Sequence, residues 1–170
     1  ILYGIVWGSR LSIGISLSVV TISVLIGVTV GTIAGYAGGT IDEILMRTVD
    51  GMIAVPAIVL ALALVVALGP SYFNIGIALA VMLWGTYARI IRGEVMHVKN
   101  EEYVDAARVT GVSKFGVVVK EVLPNAIQPI FIQATLEMGS VVIIASGLAF
   151  LGLAEPGLAE WGRLTAQGQP

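Results

Sequence analysis

Few residues in this chain could do covalent chemistry, and their spacing argues against it. Ser146-Gly147 places a hydroxyl inside an apolar stretch, but an activated serine needs a base within hydrogen-bond reach. The single histidine, His97, lies in a charged stretch about fifty positions earlier, and no lysine interrupts the apolar segments. Absence of cysteine excludes disulfides, thiolate catalysis and thiolate-held metals, and one histidine is too few for a histidine-built metal site. No G-x-x-x-x-G-K-[ST] occurs, so any use of ATP must come from another chain. No cofactor is implied. Glu137 is the exception to the otherwise inert apolar stretches, as the one charge between residues 122 and 154. A carboxylate at mid-bilayer costs about 2.5–3.5 kcal/mol on insertion scales, so it must face protein or water. Two roles stay open for it: a place along a solute path, or a structural hydrogen-bonded partner.

The elements that would position these residues are membrane helices. Of 170 residues, 57% are hydrophobic and 12% charged, with a mean hydropathy of +0.97. Soluble domains carry about a quarter charged residues. A net charge of −2 without a basic stripe gives no invitation to nucleic acid. Residues 11–41 and 51–88 carry no charge at all. A helix crosses the hydrocarbon core with about 20 apolar residues. The first stretch therefore predicts one span, about 11–36. The second predicts two, about 51–68 and 73–91, with Gly69-Pro70 as the hairpin tip. A fourth follows at about 126–153. The fold class is all-α, a polytopic helix bundle with four spans in a single transmembrane domain over 1–170. The first residues lack a signal-peptide pattern, and the chain, ending Gly168-Gln169-Pro170, reads as the interior of a longer protein.

Residues 89–121 hold 11 of the 20 charged residues, six of them Lys or Arg. With Arg47 in the 42–50 connection, seven of nine basic residues fall on one side of a four-span fold, leaving Arg10 and Arg163 on the other. The positive-inside rule makes that side cytoplasmic and places both chain ends outside. Within the first span, Ser23, Gly27, Gly31, Gly35 and Gly39 repeat every fourth position, a small-residue face suited to close helix packing or, alternatively, to lining a path. Pro56 and Pro129 are expected to bend their helices, and Asp50 to pair locally with Arg47.

Between the third and fourth spans, a loop over about 92–124 contains a helix of roughly 11 residues, about 16 Å long. Asn100 is its expected N-cap, Glu101 and Glu102 suit its N-terminal dipole, and Gly111 is its stop. Ser113 then caps a second helix that ends near Pro124. Tyr103, Ala106, Ala107 and Thr110 share one small, mildly apolar face, which makes a knob for another protein's groove.

Asp105-Ala106-Ala107, then Gly111, then Leu123-Pro124 resembles the EAA loop of inner-membrane permeases from binding-protein-dependent ABC importers. Further motifs resemble the dipeptide, oligopeptide and nickel subgroup. They are Ile1-Leu2-Tyr3-Gly4 with Ser9-Arg10-Leu11-Ser12, Ala34-Gly35-Tyr36-Ala37-Gly38-Gly39, and Asp42-Glu43 with Leu45-Met46-Arg47. Ala88-Arg89 with Arg92-Gly93-Glu94, Leu123-Pro124-Asn125, Phe150-Leu151-Gly152-Leu153 and Trp161-Gly162 continue them. The resemblance implies about six spans, of which this stretch lacks the first and last, and a bacterial or archaeal inner membrane. It implies a homologous permease subunit, two ATP-binding subunits and an external solute-binding protein as partners in the bilayer. Di- or oligopeptides come first as cargo. Tyr103, Asp105, Ala106, Ala107, Gly111, Leu123 and Pro124 would couple to the ATPase. Asp105 replaces the motif's glutamate, Glu121 stands where the subgroup tends to have histidine, and Glu137 replaces a neutral polar residue. A gradient-driven transporter or passive channel is the alternative, and a membrane scaffold a weaker one.

Overall fold

A computed structural model describes residues 2–154 and 161, with side chains described from residue 6 onward within those bounds. The placements of Arg163, the Trp161-Gly162 segment and the C-terminal end therefore lie outside the described residues, wholly or in part. Every regular element among the described residues is helical. In chain order they are α1 (Leu2–Ala37), α2 (Gly39–Ala54), α3 (Ala57–Leu68), α4 (Tyr72–Val98), α5 (Glu102–Val109) and α6 (Lys114–Val117). A π-helical turn (Val118–Val122), α7 (Leu123–Ala126) and α8 (Gln128–Phe150) follow.

Helix ends are written in glycine and proline. α1 stops where Gly38 takes φ +67, its amide still bonded to the Ala34 carbonyl at 3.0 Å. The segment 42–50, expected as a connection, is instead the body of α2, with Asp42 in its first turn where the helix dipole favours it. The expected span 51–68 is likewise two pieces, the end of α2 and the 12 residues of α3, parted at Val55-Pro56. Proline disfavours helical geometry at the residue before it, so the helix breaks here where a bend was expected. α3 alone is about 18 Å long, short of the roughly 30 Å hydrocarbon core. After Gly69 (φ +92), the Asn74 amide nitrogen donates to both the Leu68 and Gly69 carbonyls at 3.0 Å, closing the turn. Pro129 also departs from expectation. It sits in the first turn of α8, where a missing N–H costs nothing, and does not bend the helix interior. α8 ends with Gly152 at φ +83, its amide on Ala149 and that of Leu153 on Leu148, a Schellman closure.

Among the described residues, three helices are long and apolar enough to cross a membrane: Val6–Ala37, Tyr72–Val98 and Gln128–Phe150. The broken pair of α2 and α3 qualifies only when taken together, giving up to four. Phe131, Ile132, Leu136 and Ile143 of α8 are all more than 60% exposed, as an apolar solvent requires.

The chain divides into two compact units. One comprises the described residues of Ile1–Ser23, Ala54–Leu83 and Thr135–Pro170, with Val19, Val65, Ile75, Leu79 and Val141 buried in it. Within it the Ser23 hydroxyl donates to the Ala80 carbonyl at 3.3 Å. The other, Val24–Ile53 with Trp84–Ala134, is built on the glycine face of α1. A Cβ on Gly27 would lie 2.6 Å from the Trp84 carbonyl oxygen, and one on Gly35 would lie 2.8 Å from that of Arg92. A Cβ on Gly31 would overlap the Ala88 carbonyl. These three glycines thus let the α1 and α4 backbones meet. Gly39 does not share the face. It follows the end of α1 at φ +55 with open space about it, so it serves the turn into α2.

Candidate functional site

The stretch from Lys99 to Pro124 lies wholly in the second unit and contains the positions whose sequence pattern pointed to coupling. α5 is shorter than expected, eight residues, because its first residues differ in role. Asn100 does not cap it. The Asn100 side chain donates back to the Met96 carbonyl at 2.8 Å and so finishes α4, while Glu101, in extended geometry, precedes α5. Glu102 and Asp105 occupy the first turn and Arg108 the last, matching the helix dipole at both ends. The end is a Schellman closure on Gly111, at φ +84. The Gly111 amide reaches the Arg108 carbonyl at 3.1 Å and the Val112 amide the Ala107 carbonyl at 3.3 Å. Ser113 then accepts from the Gly116 amide at 3.2 Å and starts α6.

The helix is held by its inner residue and presents the rest. Val104 is fully buried, as are Val117 and Val122 of the following segment, against which α5 packs. Tyr103, Asp105, Ala106 and Gly111 are exposed and Ala107 is half-buried. Two larger apolar side chains that the motif did not mark are the most exposed of the region: Val109 at 88% and Phe115 at 79%. Among Glu101, Glu102, Asp105, Lys114 and Lys120, such a surface suits a protein partner better than lipid.

Leu123 is half-buried and Pro124 exposed at the start of α7. Pro124 has no N–H to give the carbonyl one turn earlier. The chain ahead of it widens into the π-helical turn, with the Leu123 amide on the Val118 carbonyl and the Asn125 side chain on the Glu121 carbonyl at 2.7 Å. Such turns are found mostly as single-turn bulges within α-helices, frequently at functional sites.

Around α5 the charged side chains are organised. Arg108 donates one nitrogen to Asp105 at 2.7 Å and another to the Lys99 carbonyl at 3.1 Å, with its guanidinium 6.0 Å from the Tyr36 ring centroid. The Lys99 ammonium donates to the Gly35 carbonyl, in the last turn of α1, at 2.7 Å. Arg92 grips Asp42 with two bonds of 2.5 and 2.6 Å. Arg89 reaches Asp50 at 2.6 Å, so Asp50 pairs across helices, and Arg47 turns instead to Glu43 at 3.6 Å. The expected Arg47–Asp50 pair gives way because i, i+4 spacing brings Glu43 alongside Arg47 on α2, whereas i, i+3 toward Asp50 competes with Arg89 on α4. Glu137 is half-buried on α8 in the other unit. No cluster of three metal-ligating side chains occurs among the described residues.

Residues 27–170 match the family described as "Binding-protein-dependent transport system inner membrane component". The chain belongs to this family. As an inner membrane component of that kind it is a multi-pass membrane protein of a transport system. It is 39% identical over 166 residues to the dipeptide transport system permease protein of Alkalihalophilus pseudofirmus, covering 97% of this chain and 55% of that protein. To the oligopeptide transport system permease protein of Bacillus subtilis (strain 168) it is 38% identical over 164 residues, covering 96% of this chain and 54% of that one. The chain thus spans about half the length of these relatives. The matched region includes α5, Gly111 and the π-helical turn of this transport component.

Proposed function

We propose that this stretch forms the core of a permease subunit in an ATP-driven importer of the bacterial or archaeal cytoplasmic membrane. A homologous permease pairs with it to enclose the solute path. Two ATP-binding subunits dock from the cytoplasm on α5 and the turn that follows, and an external solute-binding protein delivers the cargo. The observation that carries the reading is α5 itself, seated on buried Val104, with Tyr103, Ala106, Val109 and Phe115 exposed among charges outside the apolar helix stretches. Di- or oligopeptides are the proposed cargo, supported by the similarity to dipeptide and oligopeptide transport system permease proteins. Alternating access follows from two conformations of the permease that differ in affinity for the ATP-bound and ATP-free engines. Glu137 faces protein or water in this reading, either along the solute path or as a structural hydrogen-bonded partner, supported by the cost of facing a carboxylate to hydrocarbon.

The test uses the full-length subunit with its paired permease and ATPase subunits in nanodiscs. Gly111→Pro is expected to leave insertion and assembly intact while separating ATP turnover from uptake, since proline cannot adopt φ +84. Uptake and turnover that stay coupled in this variant would remove α5 from the mechanism. Failure of the wild-type subunit to bind any ATPase, with uptake driven by an ion gradient alone, would replace the importer by a secondary transporter.

A further inference from the structure

The bonds around Lys99 and Arg108 reach further than holding α5 in shape. α1 meets α4 at Gly35, where only a hydrogen in place of a side chain lets the Arg92 carbonyl and Val95 come so close. That approach brings Lys99, the residue after α4, to the last turn of α1. Its ammonium caps the Gly35 carbonyl there at 2.7 Å, at the end of the helix where the dipole is negative. The Lys99 carbonyl in turn accepts from Arg108 at 3.1 Å. Arg108 spends its other nitrogen on Asp105 of its own helix and lays its guanidinium 6.0 Å from the Tyr36 ring. One planar, forked side chain therefore joins α5 to both the end of α4 and the end of α1, which a single ammonium could not do.

Resting on the reading of α5 as the ATPase-docking helix, we propose that Arg108 and Lys99 are positioning residues that clasp α5 to the C-terminal turn of α1, so that the two move as one lever during the transport cycle. The docking movement then enters the membrane through α1, whose Gly27, Gly31 and Gly35 are packed on α4. The Arg108 arm of the clasp adds little to stability: its side chain is 41% exposed and its bond to the Lys99 carbonyl lies at the surface, where charged contacts contribute little to folding. Its loss should alter the transmission of movement while the subunit still assembles.

These 170 residues hold no cysteine, so in a full-length transporter cleared of any cysteine elsewhere, spin labels at Ala37→Cys and Glu102→Cys would report the distance between the end of α1 and α5. The distance is expected to be the same in nucleotide-free and ATP-trapped complexes. It should broaden in Arg108→Ala, with solute moved per ATP hydrolysed falling by about fivefold or more. Arg108→Lys keeps the charge but not the fork and should restore less than half of the coupling ratio. A wild-type distance that changes between the two states overturns the lever, as does an Arg108→Ala subunit that assembles and transports with an unchanged ratio. Full rescue by Arg108→Lys would also overturn it, since charge alone would then suffice. Loss of ATPase assembly in the wild type would instead overturn the docking reading beneath it.

Discussion

Arg92 holds both carboxylate oxygens of Asp42 by two hydrogen bonds of 2.5 and 2.6 Å, joining α4 to the first turn of α2 across fifty positions of sequence. The side chains are 31% and 14% exposed, which sets this pair apart from Arg89 and Asp50, at 52% and 60%. A planar fork against a carboxylate is the geometry in which a charged hydrogen bond is strongest. Both pairs tie α4 to α2, but only the first is sheltered enough to resist water and salt.

A double-mutant cycle of Asp42→Asn with Arg92→Gln should therefore give a coupling of about 1–2 kcal/mol in detergent-solubilised protein. The same cycle on Asp50 and Arg89 should give under about 1 kcal/mol and fade with added salt. Equal couplings at the two pairs would contradict the difference in shelter.

The glycines of α1 divide by what a methyl group would meet. Gly31→Ala drives a Cβ into the Ala88 backbone and should cost about 1–3 kcal/mol, lowering the melting temperature or the yield of folded subunit. Gly14 has nothing within 4 Å of its would-be Cβ, so Gly14→Ala should be neutral or stabilising by up to about 1 kcal/mol. Thermal denaturation of the two variants side by side separates packing from helix propensity.

At Gly111 the constraint is torsional, since an added Cβ would meet open space at φ +84. Gly111→Ala should cost about 1–2 kcal/mol locally, and Gly111→Asn less, because asparagine tolerates left-handed backbone. The ratio of uptake to ATP turnover is expected to fall in the order Gly, Asn, Ala, Pro. An asparagine variant worse than alanine would show that the side chain, and not the backbone, is what matters there.

Ser113 starts the helix after Gly111 through its bond to the Gly116 amide. Ser113→Ala should cost about 1 kcal/mol and act locally. Hydrogen exchange should quicken at residues 114–117 and leave α1 and α4 untouched. Exchange that rises across the whole second unit would mean the cap matters beyond its own turn.

Much of this was readable from the residues alone. The membrane class, the long uncharged helices, the Gly111 stop and the Ser113 cap follow from composition and from signals within four or five residues of each other. Such local relations survive in one dimension. What the tertiary structure decided is which distant groups meet. Asp50 prefers Arg89 over nearby Arg47, Gly39 leaves the packing face because α1 has already ended, and the Lys99 ammonium finds a carbonyl 64 positions away. Likewise Val109 and Phe115 read as ordinary apolar residues until the burial of Val104 turned α5 and left them in the open. Periodicity fixes which side chains share a face, and only packing fixes which face is covered.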